Sequence, residues 1–312
     1  MSKDLRASID IGSNSVLLLI ADVTNNTFNE LKKEIRITSL GKNLDKTKMF
    51  ADDSIAATTE ALKIYVDLCV SHGVKTNQII ATATEAARIA KNASDYFSQI
   101  EQDLGLKIHI ISAQAEAYFS TKGILFNSKF EKEIITIMDI GGASTELIKV
   151  NTKTFQILKT ISMPVGAVRA TQWLDDDTFV QNLQKIFIDY RIELDEFQSK
   201  EIFCVAGTVT SLGNMHLENK EFIEDEVHGL KLKIEEVEIL FKKFSSYEPE
   251  KFLEQFPFLQ KRAASIKGGL HIVYHLCHRL LASEMIISTY GLRYGTILEG
   301  SIKEEFLNGR NS

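Results

Sequence analysis

Asp10-Ile11-Gly12-Ser13-Asn14-Ser15 and Asp139-Ile140-Gly141-Gly142-Ala143-Ser144 each close an apolar run, and the second string repeats the first in another part of the chain. The runs leading in are Leu5-Arg6-Ala7-Ser8-Ile9 and Ile134-Ile135-Thr136-Ile137-Met138, the second suited to a strand buried on both faces. Another strand-like run follows each string, at 16–21 and 146–150, so each string reads as the tip of a hairpin. One Asp-x-Gly-Ser string is an ordinary turn. A matched pair points instead to a duplicated unit with a phosphate site. Small residues at a strand end expose consecutive backbone N–H groups with no Cβ in the way, and such a nest holds phosphate oxygens. The aspartate on the strand end can hold a hydrated Mg²⁺ against the same phosphate. A Walker loop differs, since it opens a helix and carries Gly-Lys-Ser/Thr, a string this chain lacks.

With 312 residues and 44% hydrophobic content, the chain can supply cores for two domains. It carries no signal-peptide pattern and no apolar run near the ~18 residues of a membrane span, so a cytoplasmic protein that uses no membrane is expected. Cys69, Cys204 and Cys277 are odd in number and widely spaced, against a disulfide framework and in keeping with a reducing compartment. The net charge of −6 would repel a polyanion, so binding one depends on a local basic lining, and a nucleic-acid partner is disfavoured. Arg88, Arg169, Lys267 and Arg293 flank loop signatures and are candidates for that lining, Arg88 first.

Periodicity predicts a helix over 52–73 behind Asp52-Asp53-Ser54, a strand over 78–84, a helix over 94–104 and a strand over 107–111 that delivers Ser112 to Glu116. The order is that of a mixed sheet flanked by helices. A helix over 116–124 links to the second half. That half restarts the hairpin pattern at Ile134 and continues with a strand over 155–162, an acid-rich helix within 175–197, a strand over 202–206 and a turn at Gly207. Helices over 234–244 and 262–281, a strand over 285–288 and a last helix over 295–307 complete the reading.

Six strings together, Asp10 to Ser15, Ala83-Thr84-Glu85-Ala86-Ala87-Arg88, Ile111-Ser112-Ala113-Gln114-Ala115-Glu116-Ala117, Asp139 to Glu146, Ala206-Gly207-Thr208 and Gly291-Leu292-Arg293-Tyr294-Gly295, resemble in order and spacing the Ppx/GppA family of exopolyphosphatases and guanosine pentaphosphate phosphohydrolases. The resemblance implies an α/β fold: two ribonuclease-H-like domains of the sugar kinase, Hsp70 and actin superfamily with an interdomain cleft. The first domain would take 1–122 plus a C-terminal helix at 296–312, and the second 123–295. Glu116 matches the family's catalytic glutamate. Phosphate binding would fall to Gly12, Ser13, Asn14, Ser15, Arg88, Gly141, Gly142, Ala143, Ser144, Thr145, Gly207 and Thr208, with Mg²⁺ on Asp139, Glu146 and Asp10. The expected partner is polyphosphate or guanosine penta- or tetraphosphate, with no protein partner implied beyond a homodimer. The chain stops without the C-terminal helical domains of longer members, which would weaken processivity on long polymers.

Read without the family, a lone glutamate near a helix start is more often a dipole partner than a catalyst. A carboxylate of reference pKa ~4.3 is too weak to deprotonate water of pKa ~15.7 in the ground state. Its role would be to orient the attacking water and accept the proton late, since positioning does most of the work in phosphoryl transfer. The family's motif usually has glycine and often a second acid where Ala113 and Ala115 stand, so Glu116 is the motif's only carboxylate here. Ala143 takes the place of a third glycine, and a positive φ there would cost about 1 kcal/mol and shift the phosphate nest. A sensor of guanosine tetraphosphate or polyphosphate with little activity therefore stands beside the hydrolase. A sugar or acetate kinase is a third reading, without the catalytic aspartate and acceptor pocket those enzymes use. His271, His275 and His278 recur on one helix face at metal-like spacing, but no glutamate follows His271 and apolar residues surround them, so packing is the expected role and zinc the alternative.

Overall fold

Both Asp-Gly strings lie where an antiparallel meander turns back on itself. The computed structural model describes residues 3–126 and 130–309. Its contacts divide the chain into two units, Met1–Phe126 with Leu292–Ser312, and Asn127–Gly291.

In the first unit, β1 (Leu5–Ile11), β2 (Ser15–Asp22) and β3 (Asn29–Ile37) form the meander. Then come α1 (Leu44–Thr47), α2 (Asp52–Ser71), β4 (Ile79–Ala83), α3 (Glu85–Ile89), α4 (Ala93–Leu104), β5 (Ile108–Ile110) and α5 (Ala113–Leu125). The sheet order is β3-β2-β1-β4-β5, with β4 parallel to both β1 and β5. Every residue of β4 is buried, as befits a strand inside the sheet with helices on its faces. Helix α2 starts at Asp52 and Asp53, whose charges suit a helix N-terminus. It buries Thr58, Ala61, Leu62, Tyr65, Val66 and Cys69 on one face, where a side chain such as Leu62 contributes about 1.5–3 kcal/mol. Gly73, at φ +86°, ends it, with the Val74 N–H donating back to the Cys69 carbonyl at 2.9 Å.

The second unit repeats the scheme. Its meander is β6 (Ile134–Ile140), β7 (Thr145–Asn151) and β8 (Gln156–Met163). After it come α6 (Ala167–Asp175), α7 (Phe179–Asp189), α8 (Arg191–Glu196), β9 (Glu201–Val205), α9 (Gly207–His216), α10 (Glu224–Val227), β10 (Lys231–Lys233), α11 (Ile234–Phe244), α12 (Pro249–Gln255), α13 (Ala263–Arg279) and β11 (Glu284–Ile287). The sheet order is β10-β11-β9-β6-β7-β8, so β8-β7-β6-β9-β11 copies the first unit's order and directions, with β10 added at one edge. Even the pairing of second with third strand slips at a similar place, at Ile20/Ala21 and at Lys149/Val150. Helix α14 (Leu292–Glu299) returns to the first unit, where the Arg6 guanidinium donates to the Ile297 carbonyl at 2.8 Å.

Three expectations from the sequence need correction. The acid-rich helix predicted within 175–197 is α7 followed by α8, separated at Tyr190, with an unpredicted α6 ending at Asp175 before Asp177 adopts φ 56°. Gly207 does not turn the chain; it opens α9. The last helix stops at Glu299 because Gly300 adopts φ +82°, and only a 3₁₀ turn at Glu304–Phe306 follows. Residues 310–312 lie outside the described part.

Among the described residues no helix is long and apolar enough to cross a membrane. All three cysteines are buried thiols. His271 packs edge-on against Phe179 and Phe241 at 5.1 and 4.8 Å, His275 sits beside the same two rings, and His278 faces Glu238 at 3.4 Å. No group of three or more His, Cys, Asp or Glu side chains among the described residues has metal-ligating geometry.

Burial, with His275 adding to it, pushes the His271 pKa down from 6.5 to about 4. The unfolded chain takes up the proton first, so stability that is complete above pH 6.5 is lost as the pH falls from 6.5 toward about 4. Urea unfolding of wild type and His271→Leu at about pH 7.5 and about pH 5 should show the wild type losing more on acidification. Parallel losses would reject the assignment.

Candidate active site

Asp10, Arg88 and Glu116 belong to the edge of the first unit's sheet where the parallel strands β1, β4 and β5 end. The ladder extends past the strands, with the Thr84 N–H donating to the Ile11 carbonyl at 3.3 Å and the Ile111 N–H to the Ala83 carbonyl at 3.0 Å. Ser112 caps α5, its Oγ accepting from the Ala115 N–H at 3.1 Å, and this sets Glu116 in the helix's first turn. Arg88, in the last turn of α3, donates from Nη1 to Glu116 Oε2 at 2.9 Å and to the Ile111 carbonyl at 3.0 Å. Both side chains are 13% exposed, so the pair is largely desolvated yet reachable. Both bonds use Nη1, which leaves Nε and Nη2 as donors for an anion.

The two strand-ending turns close alike. The Gly12 N–H donates to the Ser15 carbonyl at 2.9 Å, and the Gly141 N–H to the Ser144 carbonyl at 3.0 Å. Other carbonyls of both turns are then held by the chain that follows the third strand. In the first turn, Gly41 donates to Ser13 O at 2.7 Å, and Thr38 and Ser39 donate to Asn14 O at 3.1 and 3.0 Å. In the second, Ala167 donates to Gly141 O at 2.9 Å and Val168 to Gly142 O at 2.8 Å, both from the first turn of α6, while the Arg169 guanidinium donates to Ala143 O. Peptide planarity sets each N–H opposite its carbonyl, so a turn whose carbonyls are engaged from one side presents N–H groups on the other. Those of Ser13, Asn14, Gly142 and Ala143 make no main-chain hydrogen bond among the described residues.

The approach of each brace demands a glycine. A Cβ on Gly166 would lie 2.4 Å from the Gly142 carbonyl carbon, and one on Gly41 2.9 Å from Ser13 Cβ. In turn, α6 is seated by α13 at Gly268, whose Cβ would meet the Thr171 nitrogen at 2.4 Å. Ala143 is outside the left-handed region, so the third glycine's replacement carries no conformational cost. Gly12, Gly141 and Gly142 are outside it too.

Asp139 on β6 stands directly opposite Glu146 on β7, so two carboxylates project from one face at the end of the hairpin. Glu146 is 2% exposed and accepts from Ser162 Oγ at 2.7 Å. One or two carboxylates completed by water and phosphate oxygens is how Mg²⁺ is commonly bound, so this pair suits the ion. Asp10 lies on β1, in register with Leu17 and Thr82, and has no carboxylate opposite it.

The remaining predicted residues take varied places. Ser13 and Ser144 are 7% and 4% exposed within their turns, and Ser15 begins β2. Thr145 is fully buried and donates its hydroxyl to the Val165 carbonyl, so its side chain faces inward. Gly207 and Thr208 form the first turn of α9, a helix end that favours anions. Lys267 pairs with Glu248 at 2.8 Å, and Arg293 donates to the β2 carbonyl of Leu18 at 2.8 Å.

Sequence reasoning missed Gly41, Gly166 and Arg262, and it did not foresee the positive φ of Ala206. The two glycines share a legible signal, since each follows shortly on the meander's third strand. The Arg262 guanidinium lies against Gly207, where a Cβ would meet Nη2 at 2.5 Å, and it donates to Ser211 Oγ at 3.1 Å.

A profile of the Ppx/GppA phosphatase family matches residues 19–304. The chain belongs to this family. The Ppx/GppA chain is 30% identical over 316 aligned positions to a bifunctional 3-dehydroquinate synthase/phosphatase of Fusobacterium nucleatum, covering 95% of this chain and 46% of that one. It is 31% identical over 175 positions to exopolyphosphatase 2 of Mycobacterium tuberculosis, covering 53% of each. This chain therefore spans about half the length of these curated relatives. The crystal structure of the Aquifex aeolicus Ppx/GppA family member superposes with TM-score 0.76 at 26% identity, covering 96% of this chain and 97% of that one. The fold is accordingly two ribonuclease-H-like domains of the sugar kinase, Hsp70 and actin type.

Ala206 precedes α9 at φ 82°, ψ 171°, a conformation nearly reserved for glycine that costs an alanine about 1–3 kcal/mol. Ala206→Gly relieves this strain and loses less than about 1 kcal/mol to the freer unfolded chain, so the melting temperature should rise by about 1–3 °C. Calorimetry showing no rise would mean that the strain is absent.

Proposed function

We propose that this Ppx/GppA protein is a phosphohydrolase that releases the terminal phosphate from inorganic polyphosphate, guanosine pentaphosphate or both. The observation that carries the reading is the Arg88–Glu116 pair. A carboxylate at a helix start, set by a guanidinium at 2.9 Å and still 13% exposed, is positioned to receive a water. Glu116 orients that water toward phosphorus and takes up its proton as the bond to the leaving oxygen breaks. Arg88 fixes the carboxylate through Nη1 and offers Nη2 and Nε to a phosphate oxygen. In the same unit the Asn14 N–H is a further donor, preorganised by the bond from Gly41 to the Ser13 carbonyl, and the Gly142 and Ala143 N–H groups are held in the same way at the matching turn of the second unit. The first turn of α9, with Gly207 and Thr208, adds a helix N-terminus suited to a phosphate of a chain or nucleotide.

Mg²⁺ would be held by Asp139 and Glu146, and its chemistry would be to neutralise charge on the phosphate oxygens; Asp10 is the carboxylate at the matching turn of the first unit. The absence of strain at Ala143 removes the feature that favoured a sensor with little activity.

Glu116→Gln keeps the size and shape of the side chain while removing its basicity, so kcat should fall on the order of 10²–10⁴ with little change in substrate affinity. Phosphate release from long-chain polyphosphate and from guanosine pentaphosphate would measure this, and near-normal turnover would end the assignment. The faster substrate would name the enzyme.

Asp139→Asn halves the paired charge. Half-maximal activity should then require on the order of tenfold or more additional Mg²⁺. A magnesium titration that superposes on the wild type would remove Asp139 from the metal site.

A further inference from the structure

The segment after α14 grips the helix that carries Glu116 at both ends. Ahead of the glutamate, the Ser112 N–H donates to the Phe306 carbonyl at 2.9 Å, Leu307 bridges to Ile111, and the Asn308 N–H donates to the Ile110 carbonyl at 2.9 Å. These contacts fall on the same residues that cap α5 and accept from Arg88. Beyond the glutamate, the Phe306 ring stacks on Tyr118 at 5.1 Å and packs on Phe119 at 4.8 Å. A small apolar cluster of Ile111, Ala115, Phe119 and Leu292 lies beneath, with Ile302 and Phe306 packed on it. At the foot of the segment, Glu299 accepts from Lys122 at 2.6 Å, Tyr118 at 2.9 Å and Lys303 at 3.1 Å. Burial pushes its pKa up, but these bonds outweigh burial and hold it at about 2, so Glu299 stays ionised near neutral pH. The approach is close enough that a Cβ on Gly295 would lie 1.9 Å from the Phe119 carbonyl oxygen.

We infer that Phe306 and Glu299 are positioning residues for Glu116: the C-terminal strap, residues 299–308, fixes the first turn of α5 so that the carboxylate meets the attacking water in line, without itself touching substrate. This rests on the hydrolase reading above. Two main-chain hydrogen bonds, which together make the Ile111–Leu307 bridge, and an aromatic stack placed on both sides of one glutamate are more than the end of a helix needs. A carboxylate displaced by about 1 Å loses on the order of 10²-fold in rate while substrate affinity, set by other groups, stays. The strap therefore acts on kcat and spares KM.

The test uses the full chain with Phe306→Ala, Phe306→Tyr and Glu299→Gln, measuring phosphate release from inorganic tripolyphosphate with Mg²⁺ and amide hydrogen exchange on the same proteins. Phe306→Ala should lower kcat by about tenfold or more with KM within about twofold, and Phe306→Tyr, which keeps the ring, should recover most of the loss. Glu299→Gln should lower kcat by roughly three- to tenfold and carries the test should Phe306→Ala fail to fold. Exchange over residues 110–119 should quicken by about tenfold or more while the β1–β2 hairpin is unchanged. An unchanged kcat, or equal quickening in that hairpin, would overturn the inference. A wild-type protein that releases phosphate from neither tripolyphosphate nor guanosine pentaphosphate would overturn the hydrolase reading and the catalytic role with it. Hydrogen exchange would still show whether the strap holds α5, so the two failures are distinguishable.

Discussion

The bonds that hold the carbonyl oxygens of the two Asp-Gly turns are what the rest of the structure serves. A free tetrapeptide turn samples many peptide orientations, and a phosphate would have to order them at its own expense. Here the chain after each meander has already fixed them, through Thr38, Ser39 and Gly41 in one unit and the first turn of α6 in the other. Much of the second unit's packing supports that arrangement. Helix α6 rests on α13, which can approach only because Gly268 lacks a side chain at the crossing, while Gly269 leaves room for Thr208 of α9. Gly166, Gly268 and Gly295 sit where a Cβ would collide with backbone, a different use from the left-handed φ of Gly73 or Gly300.

The Arg88–Glu116 pair illustrates a second constraint. A buried ion pair is costly to desolvate and is poor evidence for stability. Its use here is orientational, since the guanidinium ties the carboxylate to the Ile111 carbonyl and so to the end of the sheet. Asp139 and Glu146 are a different case, two carboxylates that the hairpin register sets opposite one another.

Much of the fold was legible because its signals are local. The two hairpins, α2, α4, α11 and the strands β4, β9 and β11 follow from apolar period and from glycine or acid at the ends. Strand β3 escaped because Glu30, Lys32, Lys33, Glu34 and Arg36 interrupt its alternation, a pattern that suits a sheet edge and hides a strand. Helix α6 escaped because its first turn is defined by what it binds, the carbonyls of Gly141 and Gly142, which lie far back in the sequence. The site was partly legible for the same reason. Glu116, Arg88 and the turn residues sit in recognisable strings. The brace glycines and Arg262 act through close contacts between distant segments, and no string marks a contact. Concern over backbone strain belonged at Ala206 and not at Ala143.

The first unit is discontinuous, and this bears on how the protein is made. Ser8 shares a hydrogen bond of 2.7 Å with Thr296, and Arg6 reaches Ile297, so partners that begin and complete one sheet-and-helix unit are separated by the entire second unit. Emerging from the ribosome amino end first, β1 to α5 must wait through the synthesis of β6 to β11 before α14 and the strap arrive. At about 5–20 residues per second that delay is on the order of ten seconds or more. During it the second unit, whose contacts lie within one continuous stretch, can fold ahead of the first. The nascent chain thus has a bare apolar seam along Ile111, Ala115 and Phe119 until α14 and the strap are made, a natural handhold for chaperones and a window in which the glutamate-bearing helix waits for its partner segment.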